Sequence, residues 1–317
     1  MSQLFTTEKL LSSIKSRGMV PTSQSTFSNE AMLELATEVL HGELVPSLLK
    51  IREEFYVDHT DYQLQANQGL YAIPDRAVGS ILRDMLYTQS NNITDRTEFR
   101  SMNRIEPDRA PETQNYYNGN WAPGFTLRAN DVEVKPVPSQ TTGNIRMVYM
   151  RRPNCLVEVN KCARVTAVNA ANEVVVSSIP SSFSTGEVFD CTPSKPHFRP
   201  YAIDQSVSAI DTVGLTITFS SDVVDENGNN ALQVGDYISI ATETCIPELP
   251  LEMQPLLSQK TVVKVLEALG DQAGFQRALA KAQQLEEQIM YILTPRVQGE
   301  PRKIMSQTFR RQGHRGY

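Results

Sequence analysis

The chain has no apolar run approaching the roughly 18 residues a membrane-spanning helix needs, so no transmembrane segment is expected. Its first residues, MSQLFTTEKLLSS, lack a basic stretch followed by an apolar core, which argues against a secretory signal. Cysteine is scarce: Cys155, Cys162, Cys191 and Cys245 are widely spaced in apolar runs and read as buried free thiols. The four histidines, His41, His59, His197 and His314, are never three or four residues apart, so no helix-borne metal pair exists. A glycine-rich phosphate loop after a strand, a nucleophile elbow and a CxxC pair are all missing. These absences predict no enzyme, no cofactor and no bound metal.

What is present is a soluble-type composition with uneven charge. Residues 294–317 hold Arg296, Arg302, Lys303, Arg310, Arg311 and Arg315 against Glu300, a tail of about +5. The chain's net charge is −6, so the remainder carries about −11.

The ends carry helical periodicity. Residues 7–17 form a short amphipathic segment with Thr6 or Thr7 as cap and Gly18 as stop. A polar linker, Pro21–Ser28, follows. From Asn29 to about Val57, Leu33, Ala36, Leu40, Leu44, Leu48, Ile51 and Phe55 make one apolar stripe, with Ser28 as cap and Pro46 kinking or dividing the helix. Toward the other end, Pro255 sits in the first turn of a helix that Gly270 ends. Asp271 caps the next, whose stripe is Phe275, Leu279, Ala282, Leu285, Ile289 and Ile292.

Between these ends the period is two. Tyr62–Ala66 and Leu70–Ile73 flank Asn67-Gln68-Gly69 as a hairpin, and residues 124–138 form another around Ala129-Asn130-Asp131. Further strands are expected at 145–150, 155–159, 163–168, 173–179, 215–219 and 236–240, a spacing that suggests a barrel or sandwich. Residues 88–122 read as a long polar surface excursion, and Asp225–Asn230 as a wide turn rather than a calcium loop.

Apolar stripes on distant helices need a partner. The expected fold is therefore α+β: a helical bundle from the N- and C-terminal helices, a large inserted antiparallel β-barrel or sandwich domain, and an extended C-terminal arm. The boundaries are 1–60 and 247–295 for the two halves of the bundle, 61–246 for the insertion and 296–317 for the basic arm.

Candidate sites are few. His59 and Asp61 could meet at a strand start, but a solvated loop is the favoured reading. Residues 186–190 (GEVFD) and 235–239 (GDYIS) read as two similar barrel hairpins. Residues 145–245 carry about 7 basic and 11 acidic side chains, which argues against a phosphate-binding face there. Arg151 and Arg152, in the run Met150–Pro153, are either a solvated strand edge or a salt-bridging contact to a neighbouring subunit. In the arm, Ile304, Met305, Phe309 and Tyr317 alternate with Arg302, Lys303, Arg310, Arg311 and Arg315, a pattern suited to docking in an acidic groove of a portal or an adjacent subunit.

Three stretches together resemble the head-to-tail connector adaptors (neck or head-completion proteins) of tailed bacteriophages: residues 33–64 with 71–84, residues 125–138 with 148–157, and residues 247–271. The resemblance covers most of the chain in order. It implies a helical, non-enzymatic structural virion protein that forms a homo-oligomeric ring, a dodecamer in that family, beneath the portal. It also implies contact with tail or nozzle proteins, a C-terminal tail reaching into neighbouring proteins, and genomic DNA passing through the channel without sequence-specific binding. The place is then the virion neck, after synthesis in the bacterial host cytoplasm, with no membrane partner. The large β insertion departs from the smallest members. The rivals are a tail-fibre or tailspike anchoring protein, or another tail structural protein, and a glycosidase-like virion enzyme, which needs two carboxylates facing across a cleft.

Overall fold

A computed structural model describes residues 5–19, 28–91, 98–106, 124–194, 199–224 and 230–294. The basic arm, most of the linker at 21–28 and much of the excursion at 88–122 lie outside the described residues, as do His197 and His314.

The fold is α+β, with helices toward both ends of the chain order and, among the described residues, sixteen strands between. Helix α1 is Thr7–Gly18, α2 Asn29–Val39 and α3 Val45–Ile51. The Ser28 hydroxyl accepts from the Ala31 amide at 3.1 Å and so caps α2. Pro46 has no N–H to give the Gly42 carbonyl, and the chain answers with a π-helical turn at Leu40–Leu44, closed by the Val45 N–H on Leu40 O. The expected single helix to Val57 is thus divided, and a 3-10 turn at Glu53–Tyr56 ends it. Helix α1 ends at Gly18, but the left-handed residue that caps it is the next one, Met19, at φ 50°.

Helix α4 is Gln254–Leu269 and α5 is Gln272–Leu293. Gly270 takes φ 73° between them, where a side chain would be strained, and Asp271 caps α5 by accepting from Gly274 N at 2.9 Å. One apolar core holds Leu10 and Ile14 of α1, Leu33 and Ala36 of α2, Leu48 of α3, Leu257 and Val265 of α4, and Ile289 of α5. The α5 stripe is narrower than its periodicity suggests. Ala278, Ala282, Ile289 and Leu293 are buried and Phe275 and Leu285 partly so, but Leu279 and Ile292 are exposed. The cause is that α5 packs mainly on α4, so only the seam facing α4 is covered.

The β region has two cores, where the sequence suggested one barrel or sandwich. The first is a sandwich. One sheet runs β1 (Val57–Gln63), β8 (Asn144–Arg151), β3 (Ala77–Thr88), β4 (Arg100–Ser101); the other runs β2 (Leu70–Ala72), β7 (Asp131–Lys135), β6 (Gly124–Arg128), β5 (Asn103–Arg104). Met85, Ile145 and Met147 of the first face Tyr71, Val132 and Val134 of the second. The hairpin β6–β7 forms as expected, with Ala129 at φ 50° in its turn. The hairpin expected around Asn67 does not: β1 pairs with β8 and β2 with β7, so that turn is a corner between two sheets.

The second core is a closed antiparallel barrel. Its strands are β10 (Ala163–Ala170), β11 (Glu173–Val176), β12 (Val188–Thr192), β13 (Ala202–Asp211), β14 (Thr216–Phe219) and β15 (Tyr237–Ile240). They close in the order β10-β11-β14-β13-β12-β15. Val165, Val174, Phe189, Ile217, Phe219 and Ile238 fill it, with the Phe183 ring edge-on to Phe189 at 4.7 Å. Closure leaves no free sheet edge there. A two-stranded parallel strip, β9 (Cys155–Leu156) with β16 (Glu243–Thr244), runs beside α2, so the strand expected at 155–159 is only its first two residues.

Candidate functional site: a buried ionic junction between three cores

GEVFD and GDYIS do not mark two separate hairpins. Their strands, β12 and β15, are neighbours, with Asp190 opposite Ser239. Asp236 sits in the turn entering β15, where it accepts from Ser194 N at 3.0 Å and Tyr201 Oη at 3.1 Å. Asp190 points elsewhere, toward the sandwich.

Asp190 has no solvent exposure and is surrounded by donors. Arg76, just ahead of β3, gives it Nη1 and Nη2, each at 2.9 Å. Asn154 Nδ2 donates at 2.6 Å, and the amides of Asp204 and Thr242 at 2.9 and 3.2 Å. Arg76 also clasps Asp204 of β13, through Nη2 at 2.6 Å and Nε at 3.0 Å. This fork joins the barrel to the sandwich in a fixed orientation, because guanidinium and carboxylate planes must match. Burial works against the Arg76 charge, but the hydrogen bonds and charges of Asp204 and Asp190 hold its pKa above the ordinary arginine value.

The second half joins the sandwich to the helical core. Arg151 ends β8 and is fully buried. Its Nη2 donates to Glu248 Oε2 at 2.5 Å, while Nε faces Asp58 Oδ2 of β1 at 3.4 Å. Glu248, also fully buried, accepts from the Asn154 amide at 3.0 Å, and its backbone carbonyl accepts from Tyr56 Oη at 2.7 Å. Asn154 therefore touches both halves. Arg199, entering β13, pairs with Asp58 at 3.2 Å and donates to the Val57 carbonyl.

Arg151 is thus neither a solvated edge nor a contact for a neighbouring subunit. Its charge is spent inside its own chain, since two carboxylates draw it under the helical core. Arg152, the next residue, is exposed, and its amide donates to Arg76 O at 2.7 Å. The partner residues expected in the arm, from Arg302 to Tyr317, lie outside the described residues.

His59 and Asp61 lie in β1, not in a loop, on the sheet face that lines a cleft of about 1090 Å³ between sandwich and barrel. Arg146 clasps Asp61 there at 2.7 and 2.8 Å, with the Phe99 ring 4.2 Å from its guanidinium carbon. Among the described residues no group of three or more His, Cys, Asp or Glu side chains is placed to hold a metal ion. Cys162, Cys191 and Cys245 are buried, but Cys155 is exposed, because β9 lies at the surface beside α2.

His41 touches the edge of the junction. It lies in the π-helical turn, with Nε2 2.9 Å from the Pro153 carbonyl. Burial pushes its pKa below the ordinary value, helped by Arg152 and opposed by the Pro153 carbonyl and Glu248. The folded protein then prefers neutral imidazole more than the unfolded chain does. Its contribution is complete above the unfolded value near 6.5 and is lost as pH falls below it, until the folded imidazole also takes a proton. Urea melts at pH 7.5 and 5.5 should show a smaller pH-dependent loss for His41→Gln than for the parent. An equal loss in both would remove His41 from the account.

Charged residues interrupting apolar runs were the available signal for this junction: Asp190 in VFDCT, Glu248 between Pro247 and Pro250, Arg151 at a strand end. No protein-family model matches the chain, and no curated protein matches it.

Proposed function

We propose that the chain is a structural protein of a tailed-phage virion, an adaptor ring that joins portal to tail in the head-to-tail connector and lines part of the DNA channel. The observation that carries this reading is the buried junction: the Arg76–Asp190 and Arg151–Glu248 pairs spend buried charge on fixing three bodies rather than on an open reactive centre. A protein whose task is to hold a geometry under load gains from such clamps, since paired buried charges penalise every other arrangement.

In this reading the N- and C-terminal helices form the base of the subunit, the β region projects from it, and residues 296–317 are an extended arm that docks on the portal or an adjacent subunit. The outer side of α5, with Tyr291 84% and Ile292 58% exposed, supplies apolar surface for a neighbouring copy. An acidic body of about −11 suits a channel through which DNA slides without adhering.

Two experiments test this. Negative-stain imaging of the purified protein, alone and with a portal, should show rings; slender trimers would favour a fibre anchor instead. Deletion of residues 296–317 should leave folding unchanged and abolish attachment to DNA-filled heads. Normal attachment by the truncated protein would end the docking role of the arm.

A further inference from the structure

A second concavity, of about 510 Å³, lies between the first turns of α2 and the strip β9–β16. Leu156 and Val157 supply apolar lining, and Glu30, Glu34, Glu158 and Glu243 supply carboxylates. Among the described residues that line it the one cation is Lys161, which is committed to Glu30 at 2.7 Å. Among the described residues Glu34 and Glu243 have no ion pair. Burial raises the Glu243 carboxyl above its ordinary value, as expected of a half-covered acid short of positive charge. The groove thus combines apolar contact with an excess of three negative charges.

The same chain carries a segment of opposite character. Residues 302–317 alternate Ile304, Met305 and Phe309 with Arg302, Lys303, Arg310, Arg311 and Arg315, without a single acid. Reach is sufficient. The last turn of α5 is tied down where Arg52 Nε donates to Leu293 O at 3.1 Å. From Arg52 back to Thr37, which lines the groove, the helical path is about 22 Å at ~1.5 Å per residue. An extended run from Pro295 to Arg302 spans about 26 Å.

We propose that in the free subunit residues 302–317 lie in this groove of their own molecule, apolar side chains on Leu156 and Val157, guanidiniums against Glu34, Glu158 and Glu243. Tethering raises the local concentration of the arm to the millimolar range, which favours its own groove over another copy's. Each half-exposed pair is weak, so the contact is easily displaced. The arm is stowed rather than locked, and a partner with a better acidic groove removes it. This holds for the subunit before any partner binds, and a chain that forms no ring can still stow its arm.

Cys155 provides the probe, being exposed on the groove wall while Cys162, Cys191 and Cys245 are buried. Burial also raises the Cys191 thiol, and the hydrogen bond with Cys162 together with burial raises that of Cys245, which keeps both unreactive. The full chain carrying Ser306→Cys is treated with a short bismaleimide, and the linked peptides are identified by mass. The expected product is an intramolecular link to Cys155, formed several-fold more slowly in high salt and in the added variants Glu34→Lys or Glu243→Gln. Glu34 is exposed and Glu243 half-buried, and an unchanged circular dichroism spectrum confirms folding. A rate insensitive to salt and to both variants overturns the proposal. Links mainly between two molecules overturn it as well, since the arm then belongs in another copy's groove.

Discussion

Glu248→Ala should destabilise the protein by about 3–5 kcal/mol, the range for removing one partner of a buried ion pair. Arg151 would keep its charge with no exposure to water, and its Nη1 already makes no hydrogen bond in the intact protein. Asp58, 3.4 Å from Nε, cannot compensate, because it is shared with Arg199. The Asn154 amide would lose its acceptor at the same time. The control is the double variant Arg151→Met with Glu248→Leu, which removes both charges while keeping most of the volume. It should regain much of the loss, since apolar replacement of a buried pair is often neutral or better. Equilibrium urea unfolding measures both. A loss below about 1 kcal/mol for Glu248→Ala would mean that water reaches Arg151 and that the junction is not a closed clamp.

Asp190→Ala is the second large effect expected, about 3 kcal/mol, and its signature is local. The substitution leaves Asn154 Nδ2 only the Glu243 carbonyl at 3.2 Å, strands the amides of Asp204 and Thr242, and halves the fork on Arg76. Arg76 keeps Asp204, whose side chain is 53% exposed, so its charge is not abandoned. What is lost is the register between barrel and sandwich. Hydrogen exchange should therefore quicken at β12, at the start of β13 and around Arg76, before it quickens in the barrel core at Ile217 or Phe219. Uniform quickening across all three cores would show instead that the junction and the cores unfold as one unit.

Much of the local structure was legible in the sequence. Ser28 and Asp271 cap the helices they precede, Gly270 takes the left-handed position, and Leu33, Ala36, Leu40, Leu44 and Leu48 are all buried. The hairpin at residues 124–135 forms around its Ala129-Asn130 turn. These signals act within one turn of helix or one reversal of strand, so neighbouring residues carry them entirely. Elsewhere local readings went wrong where a distant partner intervened. The turn near Asn67 was visible, but its flanking strands belong to different sheets. Leu279 and Ile292 obey the helical period, yet α4 covers only one side of α5.

The junction was the least legible element. Arg151 looked like surface charge because arginine usually is, and nothing near Met150–Pro153 announces a carboxylate 97 residues away. The same holds for Arg76 and Asp190, separated by 114 residues. The sequence by itself determined where the capped helices begin, where Gly270 ends one, which positions alternate, and the split between an acidic body and a basic tail. Only the tertiary structure decided which six strands close the barrel, that β1 lies against β8, and that two arginines face inward. Caps, turns and periodicity are settled by contacts a few residues apart, whereas a buried ion pair exists only after the chain has brought two remote segments together and removed the water between them.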